Sequence, residues 1–154
     1  MAARVQVDYT DAQRTLQAIA RRAPRLKREV SKRLRASADR VKARQQQAVG
    51  ASGDLSAAIA RSVTVSTRFS GRNTGVNIRA SGAKMPEKNM RRLPKYVDRG
   101  SWRHPVYGNR KAWVVQQSWA PGWFTQAGRS ELPAVRDDMN RTLNTYVRYL
   151  ASGL

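Results

Sequence analysis

The side chains available for chemistry are few. There is one histidine, His104, set between Arg103 and Pro105, with 10 Asp+Glu and no cysteine in 154 residues. Without cysteine there is no disulfide and no thiolate ligand, and one imidazole does not make the nitrogen set of a structural zinc. A single histidine in a turn is more often a hydrogen-bonded structural residue than a general base. Asp137 and Asp138 are neighbours, but adjacent side chains on a helix point about 100° apart, so the pair shares no metal or proton and reads as solvated surface. The phosphate loop GxxxxGK(S/T), GxGxxG, HExxH and GxSxG are all absent. Phosphoryl transfer would need clustered carboxylates for metal, and the acids here are scattered. The sequence thus offers no catalytic residue, no cofactor site and no metal ligand, and an enzyme is not expected.

The anomaly lies in the sign of the charge. Against 30 Lys+Arg stand 10 Asp+Glu, a net +20, while the charged fraction of 26% is ordinary. Such an excess calls for a polyanion or an assembly. It is densest between residues 25 and 44, where nine basic residues face only Glu29 and Asp39. In that stretch Leu26, Val30, Leu34, Val41 and Ala48 fall on one side at helical spacing, which predicts an amphipathic helix over about residues 25–49 with a cationic ridge. The ridge residues Arg28, Lys32, Arg33, Arg35 and Arg40 are the candidate contacts to duplex DNA or to an acidic partner. Phosphate contacts of this kind are strong and independent of sequence. No helix-turn-helix, zinc-finger or RNP pattern supports base readout.

The second concentration is aromatic. Trp102, Trp113, Trp119 and Trp123 crowd together with Tyr107 and Phe124 in a segment punctuated by Pro105 and Pro121. Aromatics interspersed with Pro and Gly favour a core or subunit-interface cluster over a base-stacking platform. His104, Pro105, Trp113, Trp123 and Phe124 are its candidate members.

The elements that position these residues follow from periodicity and caps. Arg4–Asp8 alternates as a short strand, and Thr10 with Gln13 forms a capping box for a first helix. Pro24 predicts a kink before the long helix, whose length of roughly 37 Å would cross or project from a domain of about 15 Å radius of gyration. Gly50–Gly53 ends it, and Asp54 caps a short helix through Leu55 and Ile59. Alternation at Val63–Phe69 and Val76–Ile78 about a Gly/Asn turn predicts a hairpin over about residues 61–80, packed between the two long helices. Residues 82–94 read as a loop or a single helical turn, and Lys111–Gln117 as a further strand. Ser130, Glu131 and Pro133 open a C-terminal helix, about 131–151, with Leu132, Val135, Met139, Leu143, Tyr146 and Leu150 as its stripe. The fold class is α+β in one domain, residues 1–154. No apolar run is long enough for a signal peptide or a membrane span, so no membrane partner is expected and the chain reads as soluble in a cytoplasm-like compartment.

The order of these pieces resembles the small neck or minor tail-component proteins of long-tailed bacteriophages, described as tail-completion or head-to-tail connector proteins. The likeness runs through the basic helix, SGDLSAAIARSVTV at residues 52–65, YVDRGSWRHPVYGNRKAWVVQ at 96–116, and APGWFTQAG at 120–128 leading into the last helix. Arg103-His104-Pro105-Val106-Tyr107-Gly108, Trp113 and Pro121-Gly122-Trp123-Phe124 are its most specific part. The resemblance implies an α+β virion subunit of the neck or upper tail, made in the host cytoplasm. It also implies assembly into a homo-oligomeric ring, a hexamer by analogy, around the DNA channel, touching neighbouring neck and tail proteins. It carries no active-site residue. The competing function is a free-standing, basic, sequence-independent nucleic-acid-binding protein.

Overall fold

The computed structural model describes residues 24–50, 53–68 and 75–152. The N-terminal strand, the Thr10 capping box and the segment before Pro24, with its expected kink, lie outside them. The fold is α+β: α1 (Pro24–Ala48), α2 (Gly53–Ser62), β1 (Val63–Arg68), β2 (Gly75–Ala80), α3 (Leu93–Arg99), β3 (Ser101–Val106), β4 (Asn109–Gln117), α4 (Thr125–Ser130) and α5 (Leu132–Ser152). Two antiparallel hairpins, β1–β2 and β3–β4, are separate two-stranded sheets.

α1 opens at Pro24, where the missing N–H removes no helical bond. It organises the rest of the molecule on two flanks. On one flank Val30 is buried against Leu34 of its own helix and Met139, Leu143 and Tyr146 of α5, the stripe the spacing predicts. On the other flank the Arg35 guanidinium donates to the Val65 carbonyl of β1 at 3.1 Å. The first hairpin therefore lies on α1 opposite α5, correcting the expectation that it is wedged between the two long helices. A hairpin paired Val63 to Ala80 and Val65 to Ile78 presents one apolar face, and one helix is enough to cover it.

The main core gathers Val49, Ala58, Ile59, Val63, Ala80, Met85, Val97, Ala120, Trp123 and Phe124. Residues 82–92 are two 3₁₀ turns, Gly82–Lys84 and Lys88–Arg92, pressed so closely together that a Cβ at Gly82 would collide with the Arg91 carbonyl. α3 ends at Gly100, whose φ of 95° is the left-handed cap that turns the chain into β3.

Gln45 and Gln46, near the end of α1, are structural. Gln45, 1% exposed, donates through Nε2 to the Phe124 carbonyl at 2.9 Å, and Gln46 donates to the Ala60 carbonyl at 2.9 Å. One turn of α1 thus ties both α2 and the start of α4 to the long helix.

Candidate functional site

The five predicted ridge residues are all exposed on α1, but the structure divides them. Arg33 pairs with Glu29 and Arg35 with Asp39, each at 3.3 Å and one helical turn away. Arg40 reaches across to α5 and pairs with Asp138, whose other carboxylate oxygen accepts from Arg141 at 2.6 Å. Ser37 also donates to Asp138 at 3.2 Å. Asp138 is therefore a bridge between the two long helices, against its reading as plain solvated surface, while Asp137 is exposed. Only Arg28 and Lys32 of the five have neither an acid partner nor a side-chain hydrogen bond among the described residues. Because Arg35 leans toward β1 and Arg33 and Arg40 toward α5, the ridge is a broad cationic back to the helix, partly neutralised at its edges.

The aromatic segment divides as well. Trp123 and Phe124 are core, 1% and 0% exposed, with their rings edge to face at 5.4 Å. The Trp123 indole N–H donates to the Pro94 carbonyl at 3.1 Å, so its one polar atom is satisfied in the interior. Asp98 fixes the same corner. Its Oδ1 accepts the backbone N–H groups of Phe124 and Thr125 at 2.8 and 3.0 Å, tying α3 to the start of α4.

Between these anchors the chain leaves the body as the β3–β4 hairpin. Trp102 roots it, stacked on Tyr96 at 6.1 Å and packed against the core. Every position of β4 is exposed. The turn at Tyr107 and Gly108 has positive φ at both residues, 47° and 80°, the condition for the tight turn that matches strand twist. Trp113 pairs with Pro105 and Val115 with Arg103, which places all four side chains on one face. There Arg103 lies 6.0 Å from the Trp113 ring centroid, and the indole N–H turns back to the Arg110 carbonyl at 2.8 Å. His104 and Val114 share the opposite face. The His104 ring has a nitrogen 3.2 Å from the Pro105 carbonyl and, among the described residues, no carboxylate to orient it. Trp113, Val115 and Trp119 are 51%, 54% and 44% exposed, and Tyr107 stands fully in solvent at the tip.

An isolated two-stranded ribbon is marginal in water, and one with open edges and apolar side chains on both faces is a template for another chain. From Arg99 to Ser130 the sequence has no acid, so the ribbon is cationic as well as apolar. The sequence carried only the Lys111–Gln117 half of this element as a strand; His104, read as lying in a turn, is instead within β3, because Ser101–Val106 pairs with that strand along its length. What it lacked was a sign that the ribbon stands free, since alternation looks the same in both cases.

Among the described residues no group of three or more acids and histidines is placed to hold a metal ion, and no helix is long and apolar enough to cross a membrane. The chain matches no protein-family model, no curated protein and no solved structure.

Proposed function

We propose that this chain is a structural virion protein of the phage head–tail junction, a subunit of a homo-oligomeric ring around the DNA channel that joins tail to head. The observation that supports this reading most is the β3–β4 arm: a ribbon whose β4 strand is exposed at every position, carrying the Arg103–Gly108 and Trp113 motif, is suited to burial against another chain. The cationic back of α1 suits the other half of the role. Duplex DNA carries one negative charge per about 1.7 Å of axis, and a lumen lined by subunits of net +20 would neutralise a passing genome.

The test is made on phage carrying altered subunits. Replacing Arg28, Lys32, Arg33, Arg35 and Arg40 by Gln is expected to leave the fold intact, since exposed charges contribute little to stability. Tailed particles and delivered genomes are then counted. Normal tailing with poor delivery supports the channel role for the ridge, and untailed heads support its use against an acidic neighbour. Normal numbers of both, with the protein missing from particles, would leave the free-standing nucleic-acid-binding protein as the better reading.

A further inference from the structure

Away from the ridge and the arm, a cleft of about 210 Å³ opens where the end of β2, the two 3₁₀ turns and α3 meet. Its floor is the buried pair Trp123 and Phe124, and Ser81 and Gly82 form one side. Three cations line it from three different elements: Arg79 of β2, Arg91 of the second turn and Lys95 of α3. No acid lines it. None of the three has an ion pair or side-chain hydrogen bond among the described residues, in contrast to Arg33, Arg35 and Arg40.

That convergence costs self-repulsion. Like charges brought together by distant parts of a chain, around a concavity and without a counter-charge, are relieved by a bound anion. The elements holding them are firmly set. The two turns are in backbone contact at Gly82 and Arg91, and the Trp123 indole is bonded to Pro94, next to Lys95. Guanidinium groups match the oxygens of a phosphate in two-point fashion, and an ammonium adds a point charge. We infer that the cleft bounded by Arg79, Arg91 and Lys95 is a phosphate-binding site. It takes one phosphate group, either from a nucleic-acid backbone or as the free ion. The inference goes beyond the neck reading and stands on the isolated chain, whether or not a ring forms.

The experiment compares two charge-matched variants of the full chain. In one, Arg79, Arg91 and Lys95 are replaced by Gln. In the other, Arg110, Lys111 and Arg129, all exposed and outside the cleft, are replaced by Gln. Duplex DNA affinity is measured across a salt series, and melting temperature is measured with inorganic phosphate against chloride at equal ionic strength. For a backbone phosphate, the cleft variant loses about tenfold or more in affinity relative to the control variant, and its salt slope falls by about one per contact removed. For free phosphate, the ion raises the melting temperature of the unaltered protein and not of the cleft variant, while the two variants bind DNA alike. Equal DNA affinities in the two variants with no phosphate-specific shift overturn the proposal. Should the triple variant melt early, the double variant Arg79→Gln/Arg91→Gln, at two exposed positions, is read in its place, with Lys95→Arg expected to retain binding.

Discussion

Asp98 Oδ1 accepts the Phe124 backbone N–H at 2.8 Å, across 26 residues that include the whole β3–β4 arm. The carboxylate closes the base of the arm and supplies the start of α4 with the acceptor its own backbone lacks. Asp98→Ala leaves two N–H groups, of the buried Phe124 and the half-buried Thr125, without that acceptor. The expected cost is about 1–3 kcal/mol, read as a lower midpoint in urea with an unchanged slope.

The two tryptophans of the aromatic segment should separate cleanly. Trp123→Ala empties a fully buried indole site and should cost about 3–5 kcal/mol. Trp113→Ala should cost about 1 kcal/mol or less, the value of a cross-strand contact with Pro105. Urea denaturation of the purified chain distinguishes them. If the proposed virion role holds, the Trp113 variant is the one expected to remain folded while failing to enter particles.

Asp138→Ala removes the acceptor shared by Arg40, Arg141 and Ser37 and should loosen α5 on α1. The arginines are 56% and 75% exposed, so solvent screens much of the attraction. The expected loss is about 1 kcal/mol, shrinking as salt rises from about 0.05 to about 0.5 M, over which the screening length falls about threefold.

Gly82→Ala places a methyl group against the Arg91 carbonyl, and backbone does not yield as a side-chain end does. A cost of about 1–3 kcal/mol is expected from overpacking. Differential hydrogen exchange should place the loosening in residues 82–92 and leave α1 and α5 protected.

Partial burial pushes the Tyr146 phenol above its ordinary pKa, with Glu29 acting the same way and Arg33 opposing. The folded state thus favours the neutral phenol. That contribution is complete below the unfolded value of about 10 and is lost as pH rises through the higher folded value. Between pH 9 and 12, denaturation midpoints of the unaltered protein should fall more steeply than those of Tyr146→Phe.

The helices and the first hairpin were legible because their signals are local. The α1 and α5 stripes meet at Val30 and Met139 much as their spacing requires, and β1 pairs with β2 from Val63–Ala80 to Arg68–Gly75. Residues whose meaning depends on distant partners were not. Gln45 and Gln46 resemble a low-complexity tract until Phe124 and Ala60 are placed beside them. Asp138 sits at the edge of the α5 stripe, where nothing short of the crossing of two helices reveals Arg40. Trp113 and Trp123 are close in sequence, but Trp113 stands on the outlying arm and the chain re-enters the core only after it. The basic ridge was visible as composition, yet its division into paired edges and a free crest depends on which side of α1 each neighbour occupies. The cleft around Arg79, Arg91 and Lys95 is likewise invisible in a chain where basic residues occur everywhere.

The edges of β3 and β4, unpaired among the described residues, give the positive charge a colloidal meaning. Identical copies in dilute solution meet as bodies of net +20, and at physiological ionic strength that repulsion reaches about 8 Å from the surface. It holds sticky ribbons apart while they have no proper seat. Raising the salt shortens that reach and lets ribbon meet ribbon, so the purified protein should become more prone to clump as salt increases, opposite to the behaviour of proteins held together by ion pairs.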